Sequence, residues 1–137
     1  MNTTPYTIAF GNWLNETEWQ FYCTFTTKYS MSIKQARNAM KRLHSHLTSI
    51  YGNIKLFWIA EPFDTKYSYH THALVQFAEP FKKSLKSILQ NAWQIVSKGK
   101  GGKEYNNTVI KPFDKSLGAH HYVSKYVQRN NADWDFY

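Results

Sequence analysis

The stretch Tyr69-His70-Thr71-His72-Ala73-Leu74-Val75-Gln76-Phe77 alternates with period two and is rich in β-branched and aromatic residues, the pattern of a strand. Residues two apart on a strand point to one face. His70 and His72 therefore project together, with Leu74 and Gln76 beyond them, while Tyr69, Thr71, Ala73, Val75 and Phe77 take the other face. Two imidazoles side by side on a rigid element are a ready pair of metal ligands. A half-buried pair of strand histidines is the plainer alternative.

The residues just before this stretch supply a third donor. Gly52-Asn53 breaks the chain, residues 54–60 form an apolar strand, and Glu61-Pro62 ends it, since proline lacks the ladder N–H. Residues 63–68 turn the chain back, so the histidine strand runs antiparallel to its predecessor. Glu61 then lies beside the start of the returning strand, within reach of His70 and His72. A carboxylate there is the natural third ligand and moves the preference toward hard cations, Mg²⁺ or Mn²⁺. An ordinary strand-end glutamate is the competing reading.

His44-Ser45-His46 has the same spacing but a different setting. It lies in residues 32–51, where Ile33, Ala36, Met40, Leu43, Leu47 and Ile50 recur at helical spacing. Residues two apart on a helix point to nearly opposite sides, so this pair cannot share a metal and reads as surface or rim. Ser32 and Gln35 form a capping-box pattern at the start of that helix. Lys34, Arg37, Lys41 and Arg42 lie outside its apolar stripe and read as a solvated face.

Outward from this hairpin, residues 1–17 are polar and weakly patterned, with one short strand expected at 6–10. Residues 19–27 are aromatic and β-branched enough for a central strand. A second amphipathic helix is expected over 83–96, with Leu85, Ile88, Leu89, Ala92, Ile95 and Val96 inward. A strand follows over 105–111 and a last helix over 116–128, and the tail from 130 to 137 takes no role. The order predicts an α+β fold: an antiparallel sheet of four or five strands with helices on one face, like a ferredoxin or RNA-recognition fold. Residues 1–137 show no repeat or linker and read as a single domain.

The formal net charge of +8 favours a polyanionic partner, nucleic acid before membrane. Aromatic residues, 18% of the chain, interleave with Lys and Arg, which suits single strands, where bases stack on rings while cations follow phosphates. Lys98, Lys100 and Lys103 stand in a glycine-rich basic loop that lacks the Gly-Lys-Ser/Thr ending of a P-loop. With Arg129 they are candidate DNA contacts. The lone Cys23 excludes an internal disulfide and reads as a buried thiol in a reducing compartment. No apolar run is long enough to span a bilayer and no signal-peptide pattern opens the chain, so the expectation is a soluble, cytoplasmic protein.

The last expected helix carries a second chemical stretch, His120-His121-Tyr122-Val123-Ser124-Lys125-Tyr126-Val127. Tyr122 and Tyr126 are four apart and share a face, with Lys125 beside them. Two phenols with an ammonium between them could attack phosphorus, the lysine favouring phenolate or neutralising phosphate charge. Aromatic packing with an incidental lysine is the alternative.

Taken together, His70-Thr71-His72, residues 21–27 and Tyr122-Val-Ser-Lys125-Tyr126 resemble the three ordered motifs of the HUH endonucleases, the replication initiators of rolling-circle replication. The His-hydrophobic-His motif is matched with a polar Thr71 at its middle. The tyrosine motif is similar to that of the two-tyrosine, phage-type members. The resemblance spans about residues 19–129 and implies a metal-dependent, site-specific nicking-joining enzyme acting on single-stranded DNA. His70, His72 and Glu61 would hold Mg²⁺ or Mn²⁺. Tyr122 would be the principal nucleophile, Tyr126 a second or auxiliary one, and Lys125 an electrostatic aid. It implies a 5′-phosphotyrosine intermediate and an origin hairpin or nick site as substrate. The chain reads either as a nuclease domain of a longer protein or as a minimal initiator that borrows a host helicase, with a homodimer as one assembly state. A single-strand transposase of the same class and a non-catalytic RNA-recognition-like binding module are the rival readings. A histidine-triad hydrolase would need a third alternating His, and position 74 is Leu.

Overall fold

The histidine strand lies at the centre of a five-stranded antiparallel sheet in the computed structural model, which describes residues 5–27, 30–62, 69–78, 84–97, 108–119 and 133–137. In chain order the elements are α1 (Pro5–Leu14), β1 (Phe21–Phe25), α2 (Ile33–Tyr51), β2 (Ile54–Pro62), β3 (Tyr69–Phe77), α3 (Leu85–Val96), β4 (Thr108–Pro112) and β5 (Asp133–Phe136). The strand order is β4-β1-β3-β2-β5. β3 thus inserts between β1 and β2, the split β-α-β arrangement of ferredoxin-like sheets. The α+β expectation holds, and the fifth strand comes from the tail that had no assigned role.

The helix ends form as the sequence dictates. The Ser32 hydroxyl accepts the Gln35 N–H at 3.1 Å, while Gln35 Oε1 accepts the Ser32 N–H at 2.8 Å, satisfying two otherwise unpaired donors. Gly52, at φ +81°, ends the helix, a conformation that costs glycine little. Ala36, Ala39, Met40, Leu43 and Leu47 are buried along one stripe of α2, whereas Ile50 lies exposed on the last turn. In α3, Ile88, Leu89, Ala92 and Trp93 are buried and Ile95 faces out.

Both faces of the sheet are covered. On the first, α2 and α3 bury Met40, Leu43, Leu47, Leu89 and Trp93 against Cys23, Phe25, Trp58, Val75 and Phe77. Burial pushes the Cys23 thiol well above its usual pKa, which leaves it a neutral core group. Thr71 is also on this face, fully buried, its hydroxyl 3.3 Å from Met40 Sδ. The second face corrects two expectations. Residues 6–10 belong to a helix, not a strand, and that helix packs on the face opposite α2 and α3. Its Phe10 and Leu14 join Trp19, Phe57, Ile59, Leu74 and Ala119 in a second core. Ile8 is exposed and Trp13 lies at the rim of that core, half open to solvent, against Phe10, Trp134 and Phe136, so the apolar residues of α1 are spread around it and give no clear helical stripe. Trp19 Nε1 donates to the Leu14 carbonyl at 2.8 Å, satisfying one of the helix's terminal acceptors.

β5 is fastened to the edge of β2. Trp134 and Phe136 enter the second core, while Asp133 and Asp135 alternate to the other face and meet Arg37 of α2. The guanidinium contacts Asp133 Oδ1 at 2.6 Å and Asp135 Oδ2 at 2.7 Å, and its carbon lies 5.2 Å from the centre of the Trp58 ring. Arg37 is therefore not a merely solvated charge. Burial opposes ionisation of Asp135, but the Phe136 N–H and the Arg37 guanidinium outweigh it and hold this carboxyl below its usual range. The Asp133 hydrogen bond raises the Arg37 pKa in turn.

Candidate metal centre

The pairing of β2 with β3 puts Glu61 directly opposite His70 and Ile59 opposite His72. Cross-strand partners share a face, so Glu61, His70 and His72 all stand on the second face, beyond the last residues of its apolar core. Glu61 Oε2 lies 3.1 Å from His70 Nε2 and 3.0 Å from His72 Nε2. The side chains of Glu61 and His70 are 13% exposed and that of His72 8%. The two imidazole rings meet edge to face, at 81° with centroids 4.8 Å apart, so their nitrogens converge on the carboxylate from two directions.

This donor set fits a divalent cation. Ligands at right angles in an octahedron with bonds of about 2.1 Å stand about 3.0 Å apart, and both nitrogen-to-oxygen separations match that spacing. All three donor atoms lie within 4.8 Å of one another, and a cation held by three protein ligands would keep further positions for a substrate oxygen. The same distances serve as N–H···O hydrogen bonds when no cation is present.

β1 completes the surroundings of His72. Thr24 is its partner across the β1–β3 ladder, and Tyr22 stands opposite Leu74. Thr24 Oγ1 lies 3.1 Å and the Tyr22 hydroxyl 3.0 Å from His72 Nδ1. Sequence reading missed both residues: Tyr22 and Thr24 are two apart on a predicted strand and so share a face, but local pattern does not say which strand neighbours β3.

His44 and His46 stay apart from this centre, as their helical spacing requires. His44 Nε2 lies 2.8 Å from the Ile54 carbonyl, its ring against Tyr137. That contact makes it a half-buried packing residue and not a rim residue. The tyrosine motif, Tyr122, Lys125 and Tyr126, lies outside the described residues, as do Lys98, Lys100, Lys103 and Arg129. The described stretches that flank the motif end at Ala119 and begin again at Asp133. Before it, the Ala119 N–H donates to Asn15 Oδ1 at 2.7 Å, and Ala119 is buried among Phe10, Leu14, Phe57, Ile59 and Leu74. Just ahead of it, Gly118 has φ +74°, and a Cβ there would meet the Asn15 amide at 3.4 Å. After the motif, Asp133 pairs with Ala60, the neighbour of Glu61. Among the described residues, no helix is long and apolar enough to cross a membrane.

Set against known protein families, residues 20–131 match the model of the replication-associated protein ORF2 family. No curated protein and no solved structure matches the chain.

Proposed function

Because the chain belongs to the replication-associated protein ORF2 family, we propose that it is an HUH-type nicking-joining endonuclease of single-stranded DNA that initiates rolling-circle replication. The observation that carries this reading is the convergence of Glu61, His70 and His72 on one point at ligand spacing. A divalent cation held there, Mg²⁺ or Mn²⁺, supplies the Lewis acidity that polarises the scissile phosphate. The hydroxyl of Tyr122 attacks the phosphorus in line, the new bond to the phenolic oxygen replacing the bond to the 3′-oxygen. A 5′-phosphotyrosine and a free 3′-hydroxyl result. One ester replaces another, so an incoming 3′-hydroxyl can reverse the step and join strands. Lys125 offsets charge at the phenol or the phosphate, and Tyr126 is the second nucleophile. Lys98, Lys100, Lys103 and Arg129 contact phosphates.

Chain geometry supports the assignment of the nucleophile. Ala119, three residues ahead of Tyr122 in the sequence, is the last described residue before the motif. Ala119 is buried in the same core as Ile59 and Leu74, which lie two residues from Glu61 and His72 on the same face. On the far side the described chain resumes at Asp133, which pairs with Ala60. The binding-module alternative fits less well, because Phe57 and Leu74 on that face are fully buried in the core that α1 closes and are not presented for base stacking. An origin hairpin as substrate, a host helicase as partner and a homodimer as working unit belong to the same proposal.

The test mixes the protein with labelled single-stranded oligonucleotides and Mn²⁺ and looks for an adduct that survives SDS. The expected result is an adduct that Tyr122→Phe lowers and EDTA prevents. Binding without any covalent product, indifferent to EDTA, would overturn the reading. A strict need for transposon-like hairpin ends would favour a transposase.

A further inference from the structure

Two hydroxyls converge on the one nitrogen of His72 that does not face Glu61. We propose that Tyr22 and Thr24 are positioning residues for the metal centre, holding the His72 ring by Nδ1 so that Nε2 is aimed at the cation. The proposal rests on the metal-centre reading and adds a role for the first strand. For Nε2 to give its lone pair to a cation, the ring proton must sit on Nδ1, where it needs an acceptor. The Tyr22 oxygen at 3.0 Å and the Thr24 oxygen at 3.1 Å both offer one. Without a cation, Glu61 Oε2 at 3.0 Å favours a proton on Nε2. Nδ1 then becomes an acceptor, and either hydroxyl can donate to it.

A hydroxyl thus serves His72 in both tautomers, which a carboxylate or a carbonyl in its place could not do. The ring's orientation is preserved while its proton changes sides. The Tyr22 and His72 rings are parallel to within 5° with centroids 5.8 Å apart, so the phenol also restricts rotation of the imidazole. The ladder fixes all of this from the backbone: Thr24 is registered opposite His72, and β1 and β3 are adjacent.

The test is Mn²⁺ binding by titration calorimetry on the full chain, without DNA. Loss of partners of this kind typically costs about 10–100-fold in metal affinity, and the Tyr22→Phe, Thr24→Val double variant is expected to lose affinity in that range. Each single variant should lose less, since one hydroxyl remains. Thr24→Ser in the Tyr22→Phe background should return affinity to the level of Tyr22→Phe alone. A double variant that melts like the wild type and binds Mn²⁺ equally well would overturn this proposal while leaving the metal centre intact. Failure of Thr24→Ser to restore binding in a folded protein would overturn it too, by assigning the effect to packing. If the wild type itself binds no Mn²⁺, the metal-centre reading fails, and this proposal with it.

Discussion

At the scale of single residues, the chemistry of the site follows from a period of two. His70 and His72 were legible as a pair because a strand puts alternate residues on one face, and Glu61 because a hairpin returns the chain beside it. In the folded sheet Glu61 stands in register with His70. Thr71, the polar residue in a normally hydrophobic place, is explained by its surroundings: it faces α2 and its hydroxyl meets the sulfur of Met40. Tyr22 and Thr24 were not legible as site residues, because which strand neighbours β3 depends on sheet order and not on local pattern. If the histidines are ligands and the basic side chains do the binding, His72→Ala separates the two. Cleavage should vanish, while salt-dependent binding of single-stranded DNA, followed by fluorescence anisotropy, stays within a few-fold of wild type. Equal loss of both would remove His72 from a catalytic role.

At the scale of elements, legibility tracks how cleanly a segment is patterned. The first long helix announced itself through Ser32, Gln35 and a regular apolar stripe. Removing its cap by Ser32→Ala should cost about 1 kcal/mol, read as a lower urea midpoint with an unchanged slope. The N-terminal helix was misread because its apolar residues are spread around it: Phe10 and Leu14 are buried, Trp13 sits at the rim of the core and Ile8 is exposed. The final strand alternates correctly, Trp134 and Phe136 against Asp133 and Asp135, but so short a run at the end of a chain is too little to identify. Its attachment carries a pH signature. Asp135 is held below its ordinary pKa, so its stabilising contribution is present above the unfolded value of about 4 and is lost as pH falls through the lower folded one. Hydrogen exchange should therefore show the Leu56 and Tyr137 amides, which bond each other's carbonyls at 3.0 and 2.8 Å, losing protection below about pH 4. In Arg37→Ala that protection should already be weak at neutral pH. Protection unchanged in both experiments would mean that the aromatic contacts alone hold the strand.

At the scale of the whole molecule, the two faces of the sheet divide the work. α2 and α3 close one face into an apolar core, and the strands so fixed project their ligands from the other. α1 covers the rest of that second face, packing with Trp134 and Phe136 of the tail strand, and leaves the acidic and imidazole donors at its margin. Asn15 of the N-terminal segment and Ala60 of β2 hold the chain on either side of the tyrosine motif. None of this long-range bracketing is visible in local sequence, because it joins residues far apart along the chain. The family match covers most of the chain. The most direct measurement is an anomalous difference map at the manganese edge from crystals grown with MnCl₂. The account predicts a single strong peak between Glu61 Oε2, His70 Nε2 and His72 Nε2, at ligand distance from all three. A peak elsewhere, or none at this position at saturating Mn²⁺, would contradict it.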